Sequence, residues 1–528
     1  MAIRTSGIVP GFGGADFLQM KNQLVDLQRQ LGTGQKSVTY GGLGSDRSLA
    51  LSVQGSRAQI ASYQQNISMV QTRISIMNTA LTGMQKSVAS TKTALLSVDF
   101  TLASGQTVGQ LTASNGLDAI IGMLNSDDGG RYLFGGRQTG TPPVLERDDI
   151  MAGQGTKDGF KKALLERMQA DLGSSSSSPE RDAGATGRLT LSGAAVSPIT
   201  LAEDGTHPFG LKIDNVSGAV GGTAATITAG PPASLSIAAS GTGNAQAGEN
   251  MTIGFKLPDG STERITLTAV AADATTVSAG QFRVGASQTE TLANMRSALG
   301  DRLSNLVSTS LAAASATEAG EDFFKGETNP AVLAGPPPVD PGVAKRLVPG
   351  ASGTMADAVA FDTPANADNR TVRWYQGDRV STNARATAAA QVDSAVSVSY
   401  GARADEEALR ATVQNLAVAS AVTFQNSDTQ AKDRYQALAS RVSSGLSGVG
   451  AAQTITSIQV EIASANSSAD SAKARHKDSD AMLTDMLSSV TDVSKETVAA
   501  QMLALQTMMQ ASYQTSSMLS KLTLVNYM

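Results

Sequence analysis

Between Val53 and Val98 the chain sets an apolar or aromatic side chain at alternating steps of three and four residues. The series is Val53, Ser56, Ile60, Tyr63, Ile67, Val70, Ile74, Met77, Leu81, Met84, Val88, Thr91, Leu95 and Val98, and only Ser56 and Thr91 depart from it. Most positions between are Gln, Ser, Thr, Asn, Arg or Lys. A seam repeating every ~3.5 residues predicts one long helix with a coiled-coil face, about 70 Å from end to end. No proline interrupts it, and Gly83 is its only glycine after Gly55.

A second seam of the same kind runs through Ile455, Ile458, Ile462, Ala465, Ala469, Ala472, His476, Ser479, Leu483, Met486, Val490 and Val493. Its register shifts near Lys495 and resumes through Val498, Met502, Leu505, Met509 and Leu519. A shorter stripe, Phe17, Met20, Leu24, Leu27 and Leu31, precedes a glycine-rich turn ending at Ser45-Asp46, where either residue suits a helix cap. Further helices are expected near Leu111–Leu124, from about Glu146 to Leu172, over Thr291–Ala314 and continuously from Ala404.

The middle reads differently. Leu189-Thr190-Leu191, Leu211-Lys212-Ile213, Thr226-Ile227-Thr228, Leu235-Ser236-Ile237 and Arg264–Thr268 alternate with period two, and Pro258-Asp259-Gly260 suits a hairpin. Thr371–Tyr375 and Gln391–Tyr400 read as a second β segment. Gly173–Pro179 and Gly335–Pro341 read as linkers, and Met1–Gly14 as an irregular lead-in. Asn125–Pro143 encloses an aromatic centre between glycine-rich ends, which predicts a turn, a short strand and another turn.

Four regions follow: an N-terminal helical, coiled-coil region at 1–145, a linker region at 146–187, a β-rich central surface region at 188–400 with a helix near 291–314, and a C-terminal helical, coiled-coil region at 401–528. The expected fold is mainly α with a β-rich insertion. Helices distant in sequence but alike in period bury their seams most readily against each other, so the terminal helices are expected to pair as an antiparallel coiled-coil bundle. The α+β middle would then form an outer domain. The residues expected to carry assembly are Ile60, Ile67, Ile74, Leu81, Ile458, Ile462, Leu483, Met486, Leu505 and Leu519.

Composition narrows the chemistry. The 528 residues hold no Cys and two His, which removes disulfides, thiolate zinc sites and Cys nucleophiles. With 41 basic and 46 acidic residues the net charge is −5, giving no reason to expect a nucleic-acid partner. No apolar run approaches the length of a membrane span, and the first residues lack the apolar core of a cleavable signal. Asp259, Glu263, Glu321 and Asp322 could serve a carboxylate-based enzyme, but nothing fixes their spacing, and no phosphate-binding loop, nucleophile elbow or metal motif occurs. No catalytic, cofactor or metal residues are expected. His476 reads as a bundle residue on its seam.

Both ends resemble the flagellin family, which includes filament flagellin and the related hook–filament junction protein. The resemblance rests on Leu27–Gln35, Gly44–Leu51 and Gln71–Met77 near the start, and on Ala511–Gln514 and Leu522–Met528 at the end. It implies an extracellular structural subunit of the bacterial flagellum, exported unfolded without a cleaved signal and polymerised with itself for swimming motility. The partners it implies are further copies, hook-associated proteins and the filament cap, and the flagellar export apparatus with its chaperone. Gly130–Pro143 is similar to a segment typical of the hook-associated junction protein, and the common Ile-Asn-Thr-Asn opening is missing. Filament flagellin is the preferred reading and the junction protein its alternative. A surface adhesin and a carbohydrate-active enzyme are the readings outside the family.

Overall fold

The computed structural model describes residues 14–97, 100–103, 105–193, 198–327, 342–448 and 450–525, and the side chains of 14–16 and 519–525 lie outside the description. Helices α1 (Gly14–Thr33), α2 (Arg47–Leu95) and α3 (Val108–Leu124) open the chain, with the two-residue strands β1 (Leu102–Ala103) and β2 (Gln106–Thr107) between the last two. A tight hairpin of β3 (Asp127–Asp128) and β4 (Arg131–Tyr132) leads to α4 (Arg147–Ala152), β5 (Gly153–Gln154), β6 (Lys157–Asp158) and α5 (Phe160–Leu172). Eight strands follow: β7 (Leu189–Ser192), β8 (Ile199–Glu203), β9 (Lys212–Ala219), β10 (Thr223–Thr228), β11 (Ser234–Ala239), β12 (Asn250–Lys256), β13 (Thr262–Val270) and β14 (Gln281–Arg283). The remainder is α6 (Gln288–Leu306), α7 (Ala312–Phe324), α8 (Pro364–Arg370), β15 (Ala389–Asp393), β16 (Val396–Ser399), α9 (Glu407–Ala421), α10 (Ala431–Leu446), α11 (Ile455–Thr491) and α12 (Lys495–Val525). The fold is mixed α and β with helices at both ends.

The chain forms two compact units. Unit 1 comprises 1–71, 390–398 and 466–528; unit 2 comprises 72–389 and 399–465. This division runs through both long helices instead of falling between the four regions read from the sequence.

In unit 1, α1 packs on α12, and the rings of Phe17 and Tyr513 meet edge to face at 5.0 Å. The backbone joins the same two segments where Lys36 N–H donates to the Thr491 carbonyl at 2.7 Å and Val493 N–H to Gly34 at 3.0 Å. The stripe of α1 is only half-buried at Phe17, Met20, Leu24, Leu27 and Leu31, so one neighbouring helix covers it incompletely.

Unit 2 holds two four-stranded sheets. One has the order β10-β11-β8-β7 and is antiparallel; the other has the order β14-β13-β12-β9 and is antiparallel except for the parallel β13–β14 pair. Alternation buries Leu235 and Ile237 of β11 and Ile265, Leu267 and Ala269 of β13, as the period of two requires. The helical part of unit 2 packs α3 on α9 and α5 on α7. Thr107 and Gln110 start α3 with a reciprocal capping box, each side chain accepting from the other's backbone N–H at 3.1 Å.

Several expectations change. The stretch 146–187 is not a linker region: α5 buries Phe160, Ala163, Leu164, Met168 and Leu172, and ends on Gly173 in the left-handed conformation. Beyond it Ser174 is buried, its hydroxyl donating to Asp182 at 2.5 Å. The helix expected over Thr291–Ala314 continues through a π-helical turn at Val307–Leu311 to Phe324, because Ala313, Ala314, Ala316, Ala319, Phe323 and Phe324 extend its buried face. Thr371–Tyr375 forms isolated bridges to Asp158 and Val144 and not a strand. The helix from Ala404 is broken three times, after Ala421, after Leu446 and after Thr491. Met1–Gly13, Val98, Gly335–Pro341 and Asn526–Met528 lie outside the described residues, as do the side chains of Leu519 and Leu522.

Candidate functional site

The expected assembly seam can be followed residue by residue. On the unit 1 part of α2, Val53, Ile67 and Val70 are buried, Ile60 and Tyr63 half-buried, and Ser56 is exposed. On the unit 1 part of α11, Ala469, Ala472, His476 and Val490 are buried and Leu483 is half-buried. Met486 departs from the expectation: it is 40% exposed, while the adjacent Leu487 is half-buried and takes the inward place one step round the helix. On α12 Leu505 is buried.

Polar contacts flank this part of the seam. Arg57 Nε donates to Asp480 at 2.8 Å, Gln71 Nε2 to Asp470 at 2.5 Å, and Lys473 Nζ to Gln71 at 3.0 Å. Tyr63 stacks on His476 with ring centres 5.3 Å apart. The His476 Nε2–H donates to the Val392 carbonyl at 2.6 Å, which fixes the tautomer and satisfies the buried imidazole. It is therefore a packed bundle residue with its polar edge occupied.

In unit 2 the seam enters a closed core. Ile74, Met77, Leu81, Met84, Thr91 and Leu95 of α2 are buried, as are Ile458, Ile462 and Ala465 of α11. Gln85 Nε2 donates to Thr456 at 3.1 Å and to Gln459 at 3.0 Å, and Gln459 Nε2 to Thr82 at 3.2 Å. Small residues let α3 approach: a Cβ on Gly116 would lie 3.1 Å from both Ser87 Oγ and Thr91 Oγ1. The Thr91 hydroxyl is fully buried there without a hydrogen-bond partner. Tyr435 of α10 caps the end of α2 by donating to the Leu95 carbonyl at 3.0 Å.

What the seam reading missed lies off it. Most of the large apolar side chains exposed among the described residues belong to unit 1, the smaller unit, including Leu49, Leu51, Met69, Met482, Leu503 and Met508. A stripe of one helical face finds only the buried seam; a search for Leu and Met outside that stripe would have found these.

The four acids considered for catalysis all lie in ion pairs. Arg441 of α10 donates to Asp259 at 3.0 Å and to Glu263 at 3.4 Å, tying the β12–β13 hairpin to a helix. Glu321 pairs with Lys325 one turn away at 2.7 Å on an open surface. Asp322 is buried against Arg167, with Lys345 at 3.4 Å. Arg167 also reaches Asp171 at 2.7 Å and lies over the Phe209 ring at 5.3 Å, while Asp171 accepts from Ser315 at 2.7 Å. Burial raises the Asp322 carboxyl, against the opposing pull of Arg167. Burial, helped by the charge of Asp322, pushes Glu318 to about 7. Nearby, the fully buried Arg346 holds Glu166 through two bonds of 2.7 and 2.9 Å and Asp158 through one of 2.9 Å. Charges so paired tie helices and loops together.

Among the described residues no group of three or more His, Asp or Glu is placed to hold a metal ion, and no helix is long and apolar enough to cross a membrane. Comparison of the chain with protein families, with curated proteins and with solved structures finds no match.

Proposed function

We propose that the chain is a self-assembling structural subunit of the bacterial flagellum, a filament flagellin that polymerises outside the cell. The observation that carries this reading is the apolar surface of unit 1. Leu49, Leu51, Met69, Met482, Leu503 and Met508 are all at least 44% exposed, on helices whose seams are already occupied. A second apolar face beside a filled seam is what a helix needs when it packs on its own chain and on neighbouring copies as well. The resemblance at both ends supplies the identity of the polymer. It also supplies the partners: further copies, hook-associated proteins, the filament cap, and the export apparatus with its chaperone.

Antiparallel coiled-coil pairing of α2 with α11 belongs to the same reading. Within unit 1 the partners run from Arg57 with Asp480 to Gln71 with Asp470, numbers rising on one helix as they fall on the other. Within unit 2 they run from Thr82 with Gln459 to Gln85 with Thr456 in the same sense. The 3.5-residue repeat and these opposed numberings together support the pairing.

One second reading has an observation of its own. Gly130–Pro143 resembles a segment of the hook-associated junction protein, and it forms a built, well-anchored loop. A junction subunit would join a hook to a filament without extending into one.

Assembly is tested at the exposed face. Leu503→Asp is expected to leave the monomer's helical circular dichroism unchanged and to raise the concentration needed for polymer, measured by sedimentation, by about tenfold or more. Unaltered sedimentation of this variant would remove the role assigned to that face.

A further inference from the structure

The segment Gly130–Pro143 builds a cationic cavity that the assembly reading does not use. Gly129 and Gly130, with φ of 62° and 83°, make the two-residue turn of the β3–β4 hairpin, a conformation that suits right-twisted strands. Asp127 accepts from Gly130 N–H at 2.7 Å and closes it. Phe134 is fully buried, and its carbonyl accepts from Ala404 N–H at 2.9 Å. Gly136 has φ +63°, and a Cβ there would lie 2.8 Å from Asp378 Cβ, so only glycine lets the loop close against its neighbours. The loop is thereby held without a ligand.

Between this loop and the segments Thr387–Ala389 and Tyr400–Gly401 lies a cavity of about 300 Å³. Arg73, Arg131 and Arg137 line it with Tyr132, Tyr400 and Thr139, and no acidic side chain does. Arg73 spends one N–H on Asp128 at 2.9 Å and another on the Tyr400 hydroxyl at 3.1 Å, which leaves guanidinium donors spare. Tyr400 accepts in that bond, so its own O–H is free to donate. The Arg131 and Arg137 side chains are exposed and have no hydrogen-bond or ion-pair partner among the described residues. Asp128 offsets Arg73 alone, and Asp378 is engaged by Ser381 and backbone N–H groups, so neither pairs with Arg131 or Arg137.

We propose that this cavity binds a small organic oxyanion, a carboxylate or phosphate carried on a body the size of one sugar ring. Two unneutralised guanidinium groups supply forked donors matched to such an oxyanion. Tyr132 and Tyr400 line the space left for the body, and the volume admits one ring and little more. The ligand would come either from a uronic acid of a polysaccharide or from a sugar phosphate.

The test is titration of the soluble full chain at low salt with glucuronate, with glucose 6-phosphate and with glucose, followed by calorimetry. Saturable binding of glucuronate or of glucose 6-phosphate, but not of glucose, is expected, and the tighter of the two identifies the source. The double variant Arg131→Gln/Arg137→Gln, altered only at exposed side chains, is expected to bind at least tenfold more weakly with an unchanged melting temperature. Absence of saturable binding to either anion, equal binding of glucose, or undiminished binding by the double variant would each overturn the assignment.

Discussion

Thr91 is one of two polar residues on the longest apolar seam, and the structure gives it a cost. Its hydroxyl is fully buried beside Gly116 with no hydrogen-bond partner. A buried unpaired hydroxyl costs about 1–3 kcal/mol. Thr91→Val, which keeps the shape and removes the polar atom, is expected to raise stability by about 1 kcal/mol, seen as a higher midpoint in urea at unchanged slope. Glu318 gives a pH dependence. Its carboxyl is raised from an ordinary 4.5 to about 7 by burial and by the charge of Asp322. The folded state therefore holds this proton through a range where the unfolded chain has released it, and stability falls as pH rises from 4.5 to 7. Glu318→Gln should abolish that decline and raise stability above pH 7 by on the order of 1–2 kcal/mol, allowing for partial exposure. Thermal melts across pH 4.5–8 that run parallel for the two proteins would contradict it. Neither feature could be read from the sequence. Period alone marks Thr91 as inward without saying what meets it, and Glu318 owes its environment to Asp322, Arg167 and Lys345, the last two far from it along the chain.

Among the elements, the long helices were the most legible, because a repeat held for many turns survives any local exception. Ile67, Ile74, Leu81, Ile458 and Ile462 are buried where the repeat puts them. The repeat failed at Met486, where Leu487 replaces it, near the end of α11. Short elements were read less well. The sequence 173–179 looks like a tether because serine and glycine favour loops, yet Ser174 is locked to Asp182. The extended run Thr371–Tyr375 has strand-forming residues, but Trp374 is buried and donates to the Phe324 carbonyl at 2.8 Å in place of joining a ladder. The single tryptophan thus reports on unit 2. Ile67→Asp buries an unpaired charge in unit 1 and should cost about 3 kcal/mol or more there. It is expected to stop assembly and to leave Trp374 fluorescence native. Polymer of normal yield from this variant would count against a mechanical role for the seam.

For the whole molecule, buried ionic clusters join segments far apart in a chain with only 16% charged residues and few aromatics. Arg346 joins Glu166, 180 positions away, and Arg167 joins Asp322 across 155. Removing one partner of such a buried pair strands the other charge, which is costlier than the pair's net contribution. These links lie within unit 2. Unit 1, whose helices keep apolar faces open, is on the proposed reading the part that gains by meeting another copy. Electron microscopy of the purified full chain after seeding with fragments of its own polymer or of hooks measures that gain directly. A filament flagellin predicts long, regular tubes that lengthen as protein is added. Particles that decorate hooks without lengthening point to the junction subunit, and a chain that stays monomeric at every concentration, seeded or not, contradicts self-assembly altogether.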